Sequence, residues 1–89
     1  MTGRIFSYLH HNQKAGSLVQ VLTETDFSLQ TESLKGFGEI AAMLACGYHA
    51  DTYDELVKKH PSIESARLDV EEDIGEKVTV NCIKLLSIN

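Results

Sequence analysis

The sequence predicts an α+β fold: a small three-stranded antiparallel sheet with helices packed on one face, in the order β-β-α-α-α-β. Three observations predict it. Two strand-like runs near the start flank a polar loop that ends in glycine. The middle of the chain repeats apolar residues at steps of three and four, and the final stretch returns to a β-branched, alternating pattern. A hairpin joined through helices to a late third strand implies one sheet covered on one side.

Arg4 to His11 reads as the first strand, where Ile5, Phe6, Tyr8 and Leu9 fit a sheet buried mainly on one side. Asn12-Gln13-Lys14-Ala15-Gly16 suits a hairpin loop with a left-handed residue at Gly16, and Ser17 to Leu22 is the returning strand. Leu34, Phe37, Ile40, Ala41, Leu44 and Ala45 then line one face of a helix. Thr31 or Ser33 can cap its start, and Gly47 is placed to stop it. Gly36 and Gly38 weaken this helix unless they mark close packing against a neighbour. Thr52-Tyr53-Asp54-Glu55 matches a capping box for a short helix ending near Lys59. Past Pro61, Ser62 can cap a third helix carrying Ile63, Ala66, Val70 and Ile74, which Gly75 closes. From Glu76 to Ile88, Val78, Val80 and Cys82 alternate with Lys77, Thr79 and Asn81 as in a half-buried strand.

The 89 residues are expected to form one domain, 1–89, without repeat or linker. A core of this size is marginal, so a partner or a second subunit would support it. Net charge is −5 and the basic residues are scattered, with only Lys58-Lys59 adjacent, which argues against nucleic acid as a partner. No apolar run reaches the length of a membrane span, and the start lacks the apolar stretch of a secretory signal. Cys46 and Cys82 lack CxxC spacing and are expected to be reduced thiols in a cytoplasmic setting. There is no G-x-S-x-G nucleophile motif and no phosphate-binding glycine loop. The expectation is therefore a protein that is not an enzyme, needs no cofactor and binds no nucleotide directly. The acidic run Glu71-Glu72-Asp73 with Glu76 lacks calcium-loop spacing and reads as a solvated helix face.

Asp26-Phe27, at the junction between the second strand and the first helix, is the most informative pair. A buried Phe27 would draw Asp26 toward the core, where an unpaired charge is costly; an exposed Phe27 would await a partner. On spacing alone, Asp26 reads as a helix cap, with Thr23 to Asp26 as a capping box and Phe27 as a plug at the core edge. A metal reading would gather His10, His11, Cys46 and His49, whose ligand types suit zinc but whose spacing is not that of a finger.

Several segments, in order, resemble bacterial elongation factor Ts, the nucleotide-exchange factor of elongation factor Tu. They are Tyr8-Leu9-His10 with the polar loop to Gly16, the strand Ser17-Leu18-Val19-Gln20-Val21, and Glu24-Thr25-Asp26-Phe27. Phe37 with Ile40-Ala41-Ala42-Met43, and Ile74-Gly75-Glu76-Lys77 before Val78-Thr79-Val80, complete the set. The chain departs from the family at Leu22-Thr23 in place of Asn-Cys, at Ser28-Leu29 in place of Val-Ala, and at Asn81-Cys82 in place of a basic pair. Met1 falls almost on the first strand, so the family's N-terminal helical domain is expected to be absent.

The resemblance implies a fold like one half of the elongation factor Ts core and elongation factor Tu as partner. It implies an Asp26-Phe27 wedge inserted beside that partner's nucleotide site, disturbing the bound Mg²⁺. Thr25, His10, His11 and Gly16 belong to the segments that would meet the partner. A chain holding one such core half is expected to form a two-fold homodimer, through the last strand's edge (Val78 to Leu85) or the helix surface around Gly36 and Gly38. The alternative is an interaction module, for example of phage or mobile-element origin, that binds the partner without promoting exchange.

Overall fold

The computed structural model describes residues 1–88. Its elements follow the expected order: strands β1 (Thr2–Leu9) and β2 (Ala15–Thr23), helices α1 (Glu32–Tyr48), α2 (Tyr53–Lys59) and α3 (Ser62–Ile74), and strand β3 (Thr79–Ser87). A single 3₁₀ turn, Phe27–Gln30, lies between β2 and α1. β2 is the central strand, antiparallel to both neighbours, so β1 and β3 are both edges.

Pleating sends Phe6, Val19, Val21 and Ile83 to one face, where they join Leu34, Phe37, Ala41, Ala45, Leu56, Ile63 and Val70 in one core. α1 lies closest to the sheet because its inner stripe is built from small residues. Gly38, Ala41, Ala42 and Ala45 are all buried, and Ser17 Oγ donates 2.6 Å to the Ala42 carbonyl. A Cβ on Gly38 would overlap the Phe6 ring, so this glycine does mark close packing. Gly36 faces open space instead. The inner stripe includes Gly38 and Ala42 where spacing had put Ile40, which is half exposed on the helix flank.

The caps follow the residues closely. Thr31 Oγ1 accepts from Leu34 N at 3.3 Å, and Thr52 Oγ1 accepts from Glu55 N at 3.1 Å. Ser33 turns away to donate to Asp73 Oδ2. Gly75 ends α3 in the left-handed conformation (φ 70°) that glycine adopts at little cost.

Some expectations are corrected. Gly47 does not stop α1; His49 does so two residues later with φ 55°, while the Ala50 N–H returns to the Ala45 carbonyl and the Ala50 side chain enters the core. Burial of Ala50 decides the end point. Ser62 does not cap α3: Pro61 holds the cap position, and Ser62 Oγ pairs with His60 Nε2 at 2.9 Å. The left-handed hairpin residue is Gln13 (φ 60°), beside an Asn12 side chain that accepts from Lys14 N. The β3 alternation also changes phase. Gln20 faces Cys82 but Val21 faces Val80, so Asn81 is bulged out and the inward set becomes Val80, Ile83 and Leu85.

The acidic run is not simply solvated. Arg67 donates to both oxygens of Glu64, to Glu71 Oε2 and to the Val78 carbonyl, while Tyr53 OH donates to Glu64. Arg67 holds the Glu64 carboxyl below the usual carboxylate range, and burial, reinforced by Glu64, pushes the Tyr53 phenol well up. Every group in the cluster is paired, so it acts as a brace between α2, α3 and the start of β3. Among the described residues, no helix is long and apolar enough to cross a membrane.

Among the described residues, no helix covers the outer face of the sheet. Ile5, Leu9, Leu18, Leu86 and Ile88 stand on it, between 50% and 79% exposed. Near the hairpin, Leu9, Leu18, Leu86 and Ile88 line a groove of about 350 Å³.

Candidate functional site

The site is built on the passage from β2 to α1. Phe27 opens the 3₁₀ turn with its ring 83% exposed, while the next two residues, Ser28 and Leu29, are buried. The turn anchors its second half in the core and so presents its first residue outward. Arg4 donates from Nη1 to the Leu29 carbonyl at 3.0 Å, its guanidinium lying 5.0 Å from the Phe6 ring centre. Thr2 Oγ1 donates to Asp26 Oδ1. Ser28 Oγ reaches Thr23 Oγ1 and the Thr25 carbonyl, both at 2.8 Å. On the other side, Glu76 Oε1 accepts from Glu24 N (3.1 Å) and Thr25 N (3.0 Å), and Oε2 accepts from Thr25 Oγ1 (2.6 Å).

These bonds overturn the capping reading of the pair. Asp26 occupies the cap position of the turn, but its side chain makes no capping bond. No Thr23–Asp26 capping box forms, because the Thr23 hydroxyl is taken by Thr25 O and Ser28 Oγ. Phe27 plugs nothing. The ring stands in water beside a carboxylate that accepts from Thr2. A hollow of about 290 Å³ adjoins the ring, between the start of α1 and the end of α3.

The other predicted site residues lie at the opposite end of the sheet. β1 starts beside Asp26 and ends at Leu9, a run of roughly 23 Å at about 3.3 Å per residue. His10 and His11 follow it with ring centres 4.2 Å apart, and Tyr8 OH lies 3.1 Å from His10 Nδ1. The two imidazoles are neighbours, because the strand has already ended and the chain is turning. Gly16 pairs with Leu9, where a Cβ would come 2.9 Å from the Tyr8 carbonyl oxygen. Thr25, Asp26 and Phe27 thus form one cluster, and His10, His11 and Gly16 another. The zinc set is not assembled. His10, Cys46 and His49 border one hollow, but His11 does not, and among the described residues no three potential ligands are grouped to hold a metal ion.

No protein-family model matches this sequence. The chain is similar to curated elongation factor Ts proteins across most of its length. It is 35% identical over 86 aligned residues to the chloroplastic elongation factor Ts of Galdieria sulphuraria, covering 85% of this chain and 43% of that protein. It is 28% identical over 91 aligned residues to elongation factor Ts of Clostridium botulinum strain Alaska E43, covering 98% of this chain and 30% of that protein. With elongation factor Ts of Fervidobacterium nodosum, identity reaches 46% over 41 residues, covering 46% of this chain and 21% of that protein. The chain therefore spans less than half the length of each of these relatives.

Sequence reasoning missed two of the residues that hold the tip, Arg4 and Glu76. For Glu76 a signal existed: it directly follows the helix-ending Gly75, which turns the chain back toward the Thr25 loop. Hydrogen bonds from Thr25, above all from its hydroxyl, hold the Glu76 carboxyl below the usual range. The folded protein therefore binds this proton more weakly than the unfolded chain does. The stabilisation is complete above the ordinary Glu value of about 4.3 and is lost as pH falls through the lower folded value. Melting temperature should accordingly drop on acidification below about pH 4.3, and Glu76→Gln should flatten that drop in a calorimetric pH series.

Proposed function

We propose that this chain is an elongation factor Ts-like module that binds elongation factor Tu, with the Thr25-Asp26-Phe27 tip as the inserted element. The observation that carries the reading is Phe27, exposed on a turn tethered by Arg4 of β1, Thr23 of β2 and Glu76. It falls within the segment that resembles the family's Glu-Thr-Asp-Phe. In the stronger form, Phe27 displaces the partner's Mg²⁺-holding elements and speeds GDP release, while Asp26 makes the polar contact. His10, His11 and Gly16 would meet a second region of the partner, since the sheet length separates them from Phe27. The chain itself performs no catalysis and takes no nucleotide, nucleic acid or membrane, and it works in the cytoplasm with reduced cysteines.

The test is direct. The chain is titrated into elongation factor Tu loaded with labelled GDP, following binding and release together. No complex at tens of micromolar would end this reading. Binding without faster release would favour the interaction module.

The homodimer belongs to the same proposal, with a changed interface. Gly38 is covered by Phe6 and cannot serve as contact surface. The β3 edge, the helix surface at Gly36 and the open sheet face remain, and the sheet face carries the most exposed apolar side chains. Three strands about 4.8 Å apart and eight residues long offer a face of roughly 14 by 26 Å, about 360 Å² a side, so a stable dimer, which needs roughly 1,000 Å² in total, must also draw on surface beside the sheet face. Light scattering at micromolar concentration should return twice the 9.9 kDa chain mass, and Leu18→Lys should return the monomer.

A further inference from the structure

We infer that Glu76 is a positioning residue for Phe27: its carboxylate clamps the preceding loop so that the ring is presented in one orientation before any partner arrives. The inference rests on the proposed role of Phe27 and assigns a function to a residue outside the tip.

Both carboxylate oxygens are used, and all three bonds go to residues 51 or 52 positions away in the chain. The base of the clamp is itself fixed. Gly75 turns the chain at φ 70°, Asp73 accepts from Ser33 on α1, and Glu71 accepts from Val78 N just past the clamp. The far side relays the constraint forward. Thr25 Oγ1, held by Glu76, lies 3.4 Å from Ser28 N, inside the turn that Phe27 opens. Bonds from Arg4 and Ser28 hold the back of the turn, and Glu76 holds its front. Without the carboxylate, the Glu24 and Thr25 N–H groups lose their protein acceptor to water, and the front of the loop is free to move. The core does not depend on it, because none of the residues bonded to Glu76 belongs to the buried cluster. A mobile ring must be ordered on binding, so the loss is read as affinity.

The experiment uses the ¹⁵N-labelled chain as wild type, Glu76→Ala, Glu76→Gln and Phe27→Ala. Amide exchange is measured alone, then each protein is titrated with GDP-bound elongation factor Tu. In Glu76→Ala, the Glu24 and Thr25 amides should exchange at least about tenfold faster while Val19 and Val21 stay protected, and affinity should fall about three- to tenfold. Glu76→Gln keeps an oxygen for the two N–H groups and should stay within about threefold of wild type in both readouts. Unchanged exchange at Glu24 and Thr25 in Glu76→Ala would overturn the inference. So would full affinity of Glu76→Ala alongside weakened Phe27→Ala. Should Glu76→Ala lose core protection as well, Glu76→Asp, which withdraws the carboxylate from the loop by one methylene, replaces it under the same two criteria. If wild type itself does not bind, the partner reading fails, and amide exchange alone still decides whether Glu76 clamps the loop.

Discussion

Phe27→Ala should weaken binding to elongation factor Tu by roughly ten- to a hundredfold and leave the melting temperature of the free chain essentially unchanged. The size follows from the ring: full burial of one Phe side chain contributes about 1.5–3 kcal/mol, and about 1.4 kcal/mol corresponds to a decade. The stability half follows from exposure, since a side chain 83% in solvent leaves no cavity when truncated. Isothermal titration and a thermal melt on the same samples check both halves. Unchanged affinity would remove Phe27 from the interface, and a lowered melting temperature would mean that the ring packs on its own chain. The same magnitude limits the mechanism. Linkage requires that a protein loosening GDP bind the GDP-free partner more tightly by the same factor, so one ring supports one or two decades. A larger exchange effect needs further contact surface, which the hairpin end or a second subunit would supply.

Gly38→Ala should destabilise the fold by about 1–3 kcal/mol, whereas Gly36→Ala should stabilise it by about 0.5–1 kcal/mol. Both glycines sit inside α1, and local propensity favours alanine at each. At Gly36 nothing opposes that gain, because its Cβ would enter open space. At Gly38 the Cβ would overlap the Phe6 ring at Cγ as well as at its outer atoms, so a flick of the ring tip cannot clear it. Phe6 is buried against α1 with Arg4 alongside, which leaves little room to retreat. For a chain of 89 residues each kcal/mol corresponds to about 4–8 °C, so the two melting temperatures should move in opposite directions. The double variant Phe6→Leu with Gly38→Ala should be less destabilised than the sum of its parts, since the smaller side chain relieves the overlap. Additivity would show that the Phe6 ring does not set the size limit at Gly38.

How much of the molecule could be read from the residues varies with the range of the interaction. Thr31, Thr52 and Gly75 mark helix boundaries through bonds to groups at most four residues away, and all three behave as read. Gly47 does not end its helix because the end is set by burial of Ala50, a tertiary event. The β3 alternation failed at Asn81 because a bulge depends on register against β2 and leaves no mark in composition. Within the site, Asp26-Phe27 stood out as a charge and a ring at a junction, yet whether the ring faced core or water was open. Glu76, which stands against the loop, was hidden in an acidic run whose members turn out to have different partners: Arg67 and Val78 for Glu71, Ser33 for Asp73 and Thr25 for Glu76.

The residues alone therefore determined the order of strands and helices, most of the caps and the location of the candidate tip, because periodicity and capping act over a few neighbouring positions. Tertiary structure decided that Phe27 points outward, that Glu76 holds its loop, that Gly38 must stay small and that one apolar sheet face is left uncovered. Each of these depends on groups brought together from distant parts of the chain, and no local pattern encodes such a meeting.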